Sequence, residues 1–304
     1  MRTLSVLLFV ALMLATQAQA QTTEPEIALQ AALDRAGFSP GIIDGKIGRK
    51  TQIAIHAYQT WSGLRETGEL DDKTRAALNL ASVPATVRYN VTASDLDDVG
   101  GPIPEDWNKR AALTRARYES NLAMIAERGH ASKATIERLN PSVNFERLKT
   151  GDAIVVPNVW PSRLDIDVSS IEVDLEEKVI RVRDAGGKVN MLLHCSIAAF
   201  AEKRPRGDAA VKVVVQNPEY TFRPEMWPEV KNVDHVLQIM PGPRNPVGLC
   251  WIGLDLPGYG IHGTPWPELI GKTGSHGCIR LANWDAVRLG QRTKVGTSVS
   301  FVGN

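Results

Sequence analysis

Apolar positions along the chain follow two periods. Up to about residue 140 they recur at helical spacing, and beyond residue 165 they alternate. Ile27, Leu29, Ala32 and Leu33 predict a helix over 26–36, ended by Gly37. After the loop 40–48, rich in Gly and Asp, Ile53, Ile55, Ala57 and Tyr58 predict a second helix over 50–61. A third follows over 70–80, with Asp71 or Asp72 as its cap. Residues 86–93 alternate as a strand. A Pro/Gly/Asp-rich stretch then gives way to helices near 118–128 and 133–139, and Asn140-Pro141 stops the second. A turn at 148–152 leads into a short strand up to Pro157.

Past the link 160–164, three alternating segments, 171–173, 179–182 and 189–196, are separated by turn residues and predict a β-meander. Further strands are expected at 210–215, 235–240, 249–253 and 298–302, with a short helix at 283–289. The expected fold class is therefore multidomain: a small all-α N-terminal domain, an α+β middle module and a mostly-β C-terminal domain of sandwich or barrel-like form. The expected boundaries are 24–81, 86–158 and 168–304.

Composition adds a compartment. Residues 1–20 carry one cation, Arg2, then an apolar run and Ala18-Gln19-Ala20, the pattern of a signal peptide that leaves a mature chain starting at Gln21. Loss of Arg2 takes the 35 basic side chains down by one, to parity with the 34 acidic ones, so no long-range field favours nucleic acid. No later run approaches the roughly 18 apolar residues that span a bilayer, so no transmembrane segment is expected. The product is expected to be exported and periplasmic. In an oxidising compartment three cysteines leave at least one unpaired; if Cys278 is free, Cys195 and Cys250 either pair or stay as two buried thiols.

The chemistry concentrates in Ile261-His262-Gly263-Thr264 and Ser275-His276-Gly277-Cys278-Ile279-Arg280. A thiol becomes a strong nucleophile when a base removes its proton, and His262 and Cys278 are such a pair. Successive amides at Gly277 and Cys278 can point at one oxygen, as an oxyanion hole requires. Two His-Gly pairs and a Gly-Cys in one short segment are hard to explain as packing. A zinc site would need a further cysteine or carboxylate at ligand spacing, and none stands there, so neither metal nor cofactor is expected.

The IHGT and SHGCIRL segments resemble the signature of the L,D-transpeptidase catalytic domain of the YkuD type, cysteine enzymes that rebuild bacterial peptidoglycan. Residues 26–80 resemble the peptidoglycan-binding domain type 1. Residues 86–158 are similar to a LysM module that lacks its usual Gly-Asp-Thr turn and carries an insertion at about 94–117. The resemblance implies a thioester at Cys278, with His262 as base and acid and the Gly263 carbonyl orienting its ring. The substrate implied is a peptidoglycan stem tetrapeptide and its glycan. The acceptor implied is a second stem amine, giving a 3→3 cross-link, water, giving a trimmed tripeptide, or a wall-linked lipoprotein; a non-catalytic wall-binding adaptor is the remaining alternative. Arg280, Ser275, His276 and Tyr259 are the expected substrate-binding residues, with Arg280 pairing a stem carboxylate or, alternatively, Asp285.

Overall fold

Pro25 occupies the first turn of helix α1 (Pro25–Ala36), where a missing N–H breaks no intrahelical bond. The computed structural model describes residues 24–163, 165–227, 229–275 and 277–303; the signal peptide expected at 1–20 lies outside them. Helix α1 ends at Gly37, whose φ of +90° sends its N–H back to Asp34 O. Helix α2 (Arg49–Ser62) ends the same way at Gly63. Of the two expected caps for α3 (Asp72–Ala77), Asp71 takes the role, its carboxylate accepting from Thr74 N at 2.7 Å. The core of this helical unit is not closed by its own residues. Leu33, Phe38, Ile55 and Tyr58 pack with Val179 and Leu192 of the C-terminal sheet. Ser39 N–H donates to Leu192 O, and Leu192 N–H donates to Gly37 O.

In the middle unit, β1 (Thr86–Asn90) and β2 (Ala153–Pro157) pair antiparallel. Between them run α4 (Ala93–Asp97), α5 (Trp107–Ala111), α6 (Asn121–Arg128) and α7 (Lys133–Leu139). Thr92 and Asp95 cap α4 reciprocally. Met124, Ile125, Ile136, Ile154 and Val156 form the core, joined by Ile27 and Ile43 from the helical unit. Where the sequence predicted only an insertion, α4 and α5 are ordered helices.

The C-terminal domain adds β3 (Ser170–Asp174), β4 (Val179–Arg183), β5 (Val189–His194), β6 (Asp208–Gln216), β7 (Tyr220–Phe222), β8 (Leu237–Ile239), β9 (Cys250–Leu254), β10 (Gly260–His262), β11 (Ile279–Arg280), α8 (Asn283–Gly290) and β12 (Ser298–Val302). Eight strands form one sheet in the order β11-β10-β9-β6-β12-β3-β4-β5. The β10–β11 and β12–β3 pairs are parallel and the rest antiparallel. Just past β5, Ser196 and Arg280 exchange both backbone hydrogen bonds at 2.9 Å, joining the two edges. Of the two expected forms, this is the barrel-like one, a single sheet curled until its edges meet.

The segment expected as a strand at 235–240 belongs to a separate hairpin, β7–β8, outside that sheet. Cys195 and Cys250 are separate free thiols, both buried, and burial pushes each up to about 12. Among the described residues no helix is long and apolar enough to cross a membrane.

Candidate functional site

Strand alternation builds the site. Ile252, Ile261 and Ile279 are register partners across β9, β10 and β11, and all three are buried in the core. Their neighbours therefore face the other way, and Val215, Trp251, His262 and Arg280 form a row of register partners across β6, β9, β10 and β11. Cys278 immediately precedes β11, so the same alternation puts it on that face, diagonal to His262. All five residues line one cleft of about 860 Å³. Closure of the sheet holds the Cys278 segment from its other side, because Ser275 N–H donates to Ile197 O and Ala199 N–H donates to Ser275 O.

His262 is buried, and its ring stacks on Trp251 at 5.5 Å. Its Nδ1 lies 2.6 Å from Gly263 O. A carbonyl only accepts, so the neutral ring carries its proton on Nδ1 and keeps a lone pair on Nε2. Burial pushes the imidazole down to about 4, with Arg280's charge adding and the Gly263 bond opposing. Burial also pushes the Cys278 thiol up, against the pull of the Gly260 backbone and Arg280. The resting pair is therefore thiol and neutral imidazole, not the preformed thiolate that proximity alone suggests. The thiol points at Gly258 O, at 3.5 Å, and among the described residues no hydrogen bond joins it to His262.

The remaining predicted residues divide by position. Ser275 Oγ donates to Cys278 O at 2.5 Å and accepts from Gly277 N at 3.2 Å, so it staples the turn instead of reaching His262. That bond occupies the Gly277 amide expected in the oxyanion hole. Arg280 lines the cleft and donates to Gly274 O at 2.9 Å. The alternative pairing with Asp285 does not form; Asp285 accepts from Ser39 Oγ at 2.9 Å and sits 3.8 Å from Arg288. Tyr259 is not among the cleft-lining residues; its hydroxyl donates to Lys203 O at 3.1 Å, tying two loops together. His276 lies outside the described residues. Among the described residues no group of three or more His, Cys, Asp or Glu is placed to hold a metal.

Sequence reasoning missed the support of the site. Asn283, fully buried at the start of α8, accepts from Leu249 N at 3.1 Å. Its amide donates to Pro243 O and to Glu127 Oε1 of the middle unit. Glu127 also receives Arg244 Nη1, which donates to Pro265 O beside the cleft. Gly248 and Gly263 are glycines because Asn283 Oδ1 would lie 2.0 and 2.3 Å from a Cβ at those positions. These contacts join residues far apart in the chain, and no local period announces them.

Comparison with known proteins gives the family. Residues 169–300 match the YkuD L,D-transpeptidase catalytic domain family, and residues 24–78 match the family described as "Putative peptidoglycan binding domain". The chain is 34% identical over 238 residues to the "Probable L,D-transpeptidase YbiS" of Escherichia coli K12, covering 75% of this chain and 72% of that protein. It is 27% identical over 180 residues to the "Putative L,D-transpeptidase YkuD" of Bacillus licheniformis, covering 59% of this chain and 92% of that one. The chain belongs to the L,D-transpeptidase family. The kind of reaction is acyl transfer and the partner is peptidoglycan.

Proposed function

We propose that the protein is an exported, periplasmic L,D-transpeptidase that acts through a thioester at Cys278. The observation that supports it best is one cleft face shared by a thiol and an imidazole whose Nδ1 is committed to Gly263 O, leaving Nε2 as the base. The Cys278 sulfur attacks the carbonyl between the diamino acid and terminal D-Ala of a stem tetrapeptide, while its proton passes to His262 Nε2. The S–C bond forms, the C–N bond breaks, and the imidazolium returns the proton to the departing D-Ala amine. A side-chain amine of a second stem then opens the thioester, giving a 3→3 cross-link and restoring the thiol. A lipoprotein amine or water serves as a competing acceptor. The oxyanion is held by the Cys278 amide and by the Gly277 amide once it turns from Ser275. Arg280 pairs with a stem carboxylate beside the sulfur.

Residues 1–20 are the export signal. The N-terminal helical unit and the LysM-like middle unit dock the enzyme on the wall. Incubation of the mature protein with disaccharide tetrapeptide, followed by mass spectrometry, yields cross-linked dimer. Cys278→Ala yields none and keeps the fold. Dimer from that variant, or no product from the wild type, sinks the assignment.

A further inference from the structure

The cleft has a wall that the catalytic domain does not supply. The 94–117 insertion lays α5 on the β7–β8 hairpin, with Trp107 stacked on Phe222 at 4.2 Å and Asn232 donating to Asp106 at 2.6 Å. Ala116 N–H donates to Pro241 O, and Ala116 O accepts from Arg244 N, both at 2.9 Å. Gly242 passes so close that a Cβ there would sit 2.3 Å from Ala116 O. The insertion is thus fixed to the catalytic domain, and Ile103, Trp107 and Arg110 line the cleft together with Cys278.

Arg110 stands out among the cations of this wall. Its guanidinium lies 4.8 Å above the Trp107 ring and its Nε donates to Pro104 O, so it is held in one place. Among the described residues no carboxylate lies within 4.0 Å of it, whereas Arg115 has Asp98 and Arg244 has Glu119 and Glu127. Its position is where the main cleft meets a smaller recess that Cys278 does not line. Burial pushes this guanidinium down, with the charge of Glu105 opposing. A held, half-buried guanidinium facing a substrate cleft is a site for bidentate recognition of a carboxylate.

We propose that Arg110, carried into the cleft by the insertion and held against Trp107, is a specificity-determining residue that binds a second substrate carboxylate at the end away from Cys278. The inference rests on the peptidyl-transfer reading, with the stem's side-chain and terminal carboxylates as the two sources of that anion.

The test measures binding without turnover. In the full chain carrying Cys278→Ala, affinity is determined for the tetrapeptide in three forms: both carboxylates free, the side-chain carboxylate amidated, and the terminal carboxylate amidated. Each amidation weakens binding about tenfold to a hundredfold, as loss of a charge-assisted pair should, one through Arg280 and the other through Arg110. Adding Arg110→Gln abolishes the penalty of one amidation only, which identifies the carboxylate that Arg110 takes, and Arg110→Lys restores part of that penalty. A merely structural Arg110 would shift all three peptides together, and that result overturns the proposal. Turnover by the wild type with no amidation penalty that depends on Arg110 removes the Arg110 assignment alone. An intact difference with no turnover removes the reaction alone, and absence of both removes both.

Discussion

At the residue scale the site is governed by burial more than by proximity. His262 is pushed down to about 4 and Cys278 up, so in the proposed reaction the proton stays on sulfur at neutral pH until attack begins. The base is then available well below the ordinary imidazole range, because it protonates only as pH falls through about 4. The acid limb of the turnover profile is therefore expected near pH 4 instead of 6.5. Alkylation by iodoacetamide needs thiolate, so its rate at Cys278 keeps climbing above pH 9; a plateau at neutral pH would mean a preformed ion pair. One label per chain is expected in the folded protein, since Cys195 and Cys250 are buried and pushed up to about 12. The sequence placed His262 and Cys278 in one segment by motif. It carried no sign of their protonation, which depends on how the cleft excludes water, nor of Ser275 occupying the Gly277 amide.

At the element scale two glycines that look alike in sequence differ. Among the described residues a Cβ at Gly277 meets only Tyr259 Cε1, at 3.7 Å, an ordinary contact. Gly277→Ala is therefore expected to melt with the wild type while losing turnover. Gly248 has a φ of +63° and its Cβ would overlap Asn283 Oδ1, so Gly248→Ala costs about 2–4 kcal/mol and lowers the thermal midpoint. Equal midpoints for the two variants would show that Asn283 is not the fixed strut described above. Elements with a sustained period were readable: 298–302 coincides with β12, and 171–173 and 179–182 lie within β3 and β4. Strands β7, β10 and β11 span three, three and two residues, too short to show a period, and two of them carry the site. The insertion was visible as a break in pattern; its seat on the hairpin was not, because that contact joins segments over a hundred residues apart.

At the scale of the whole molecule, three units meet at one buried cluster of charge. Asp34 of α1 receives Arg288 of α8 at 2.6 Å and His130 of the middle unit at 3.1 Å. Arg288 and His130 hold its carboxyl well below the usual range despite burial, while burial pushes nearby Asp285 up to about 6. Asp34→Ala leaves Arg288 buried without its main partner, and a loss of about 3–5 kcal/mol is expected in denaturant unfolding. Limited proteolysis is then expected to cut the 79–85 link faster than in the wild type. An unchanged unfolding curve would show the units to be independent. Helix pattern could reveal α1 and α8 separately, but nothing in either stretch says that they share a charge. Lys50 Nζ reaches Ile270 O at 2.5 Å and completes a second bolt between the first and last units. Tandem modules on a slack tether gain avidity through local concentration, and their reach grows with tether length. Bolted as it is, the N-terminal unit has no such slack: under the proposed function, a wall strand bound there would meet the Cys278 sulfur at one set offset, as against a ruler.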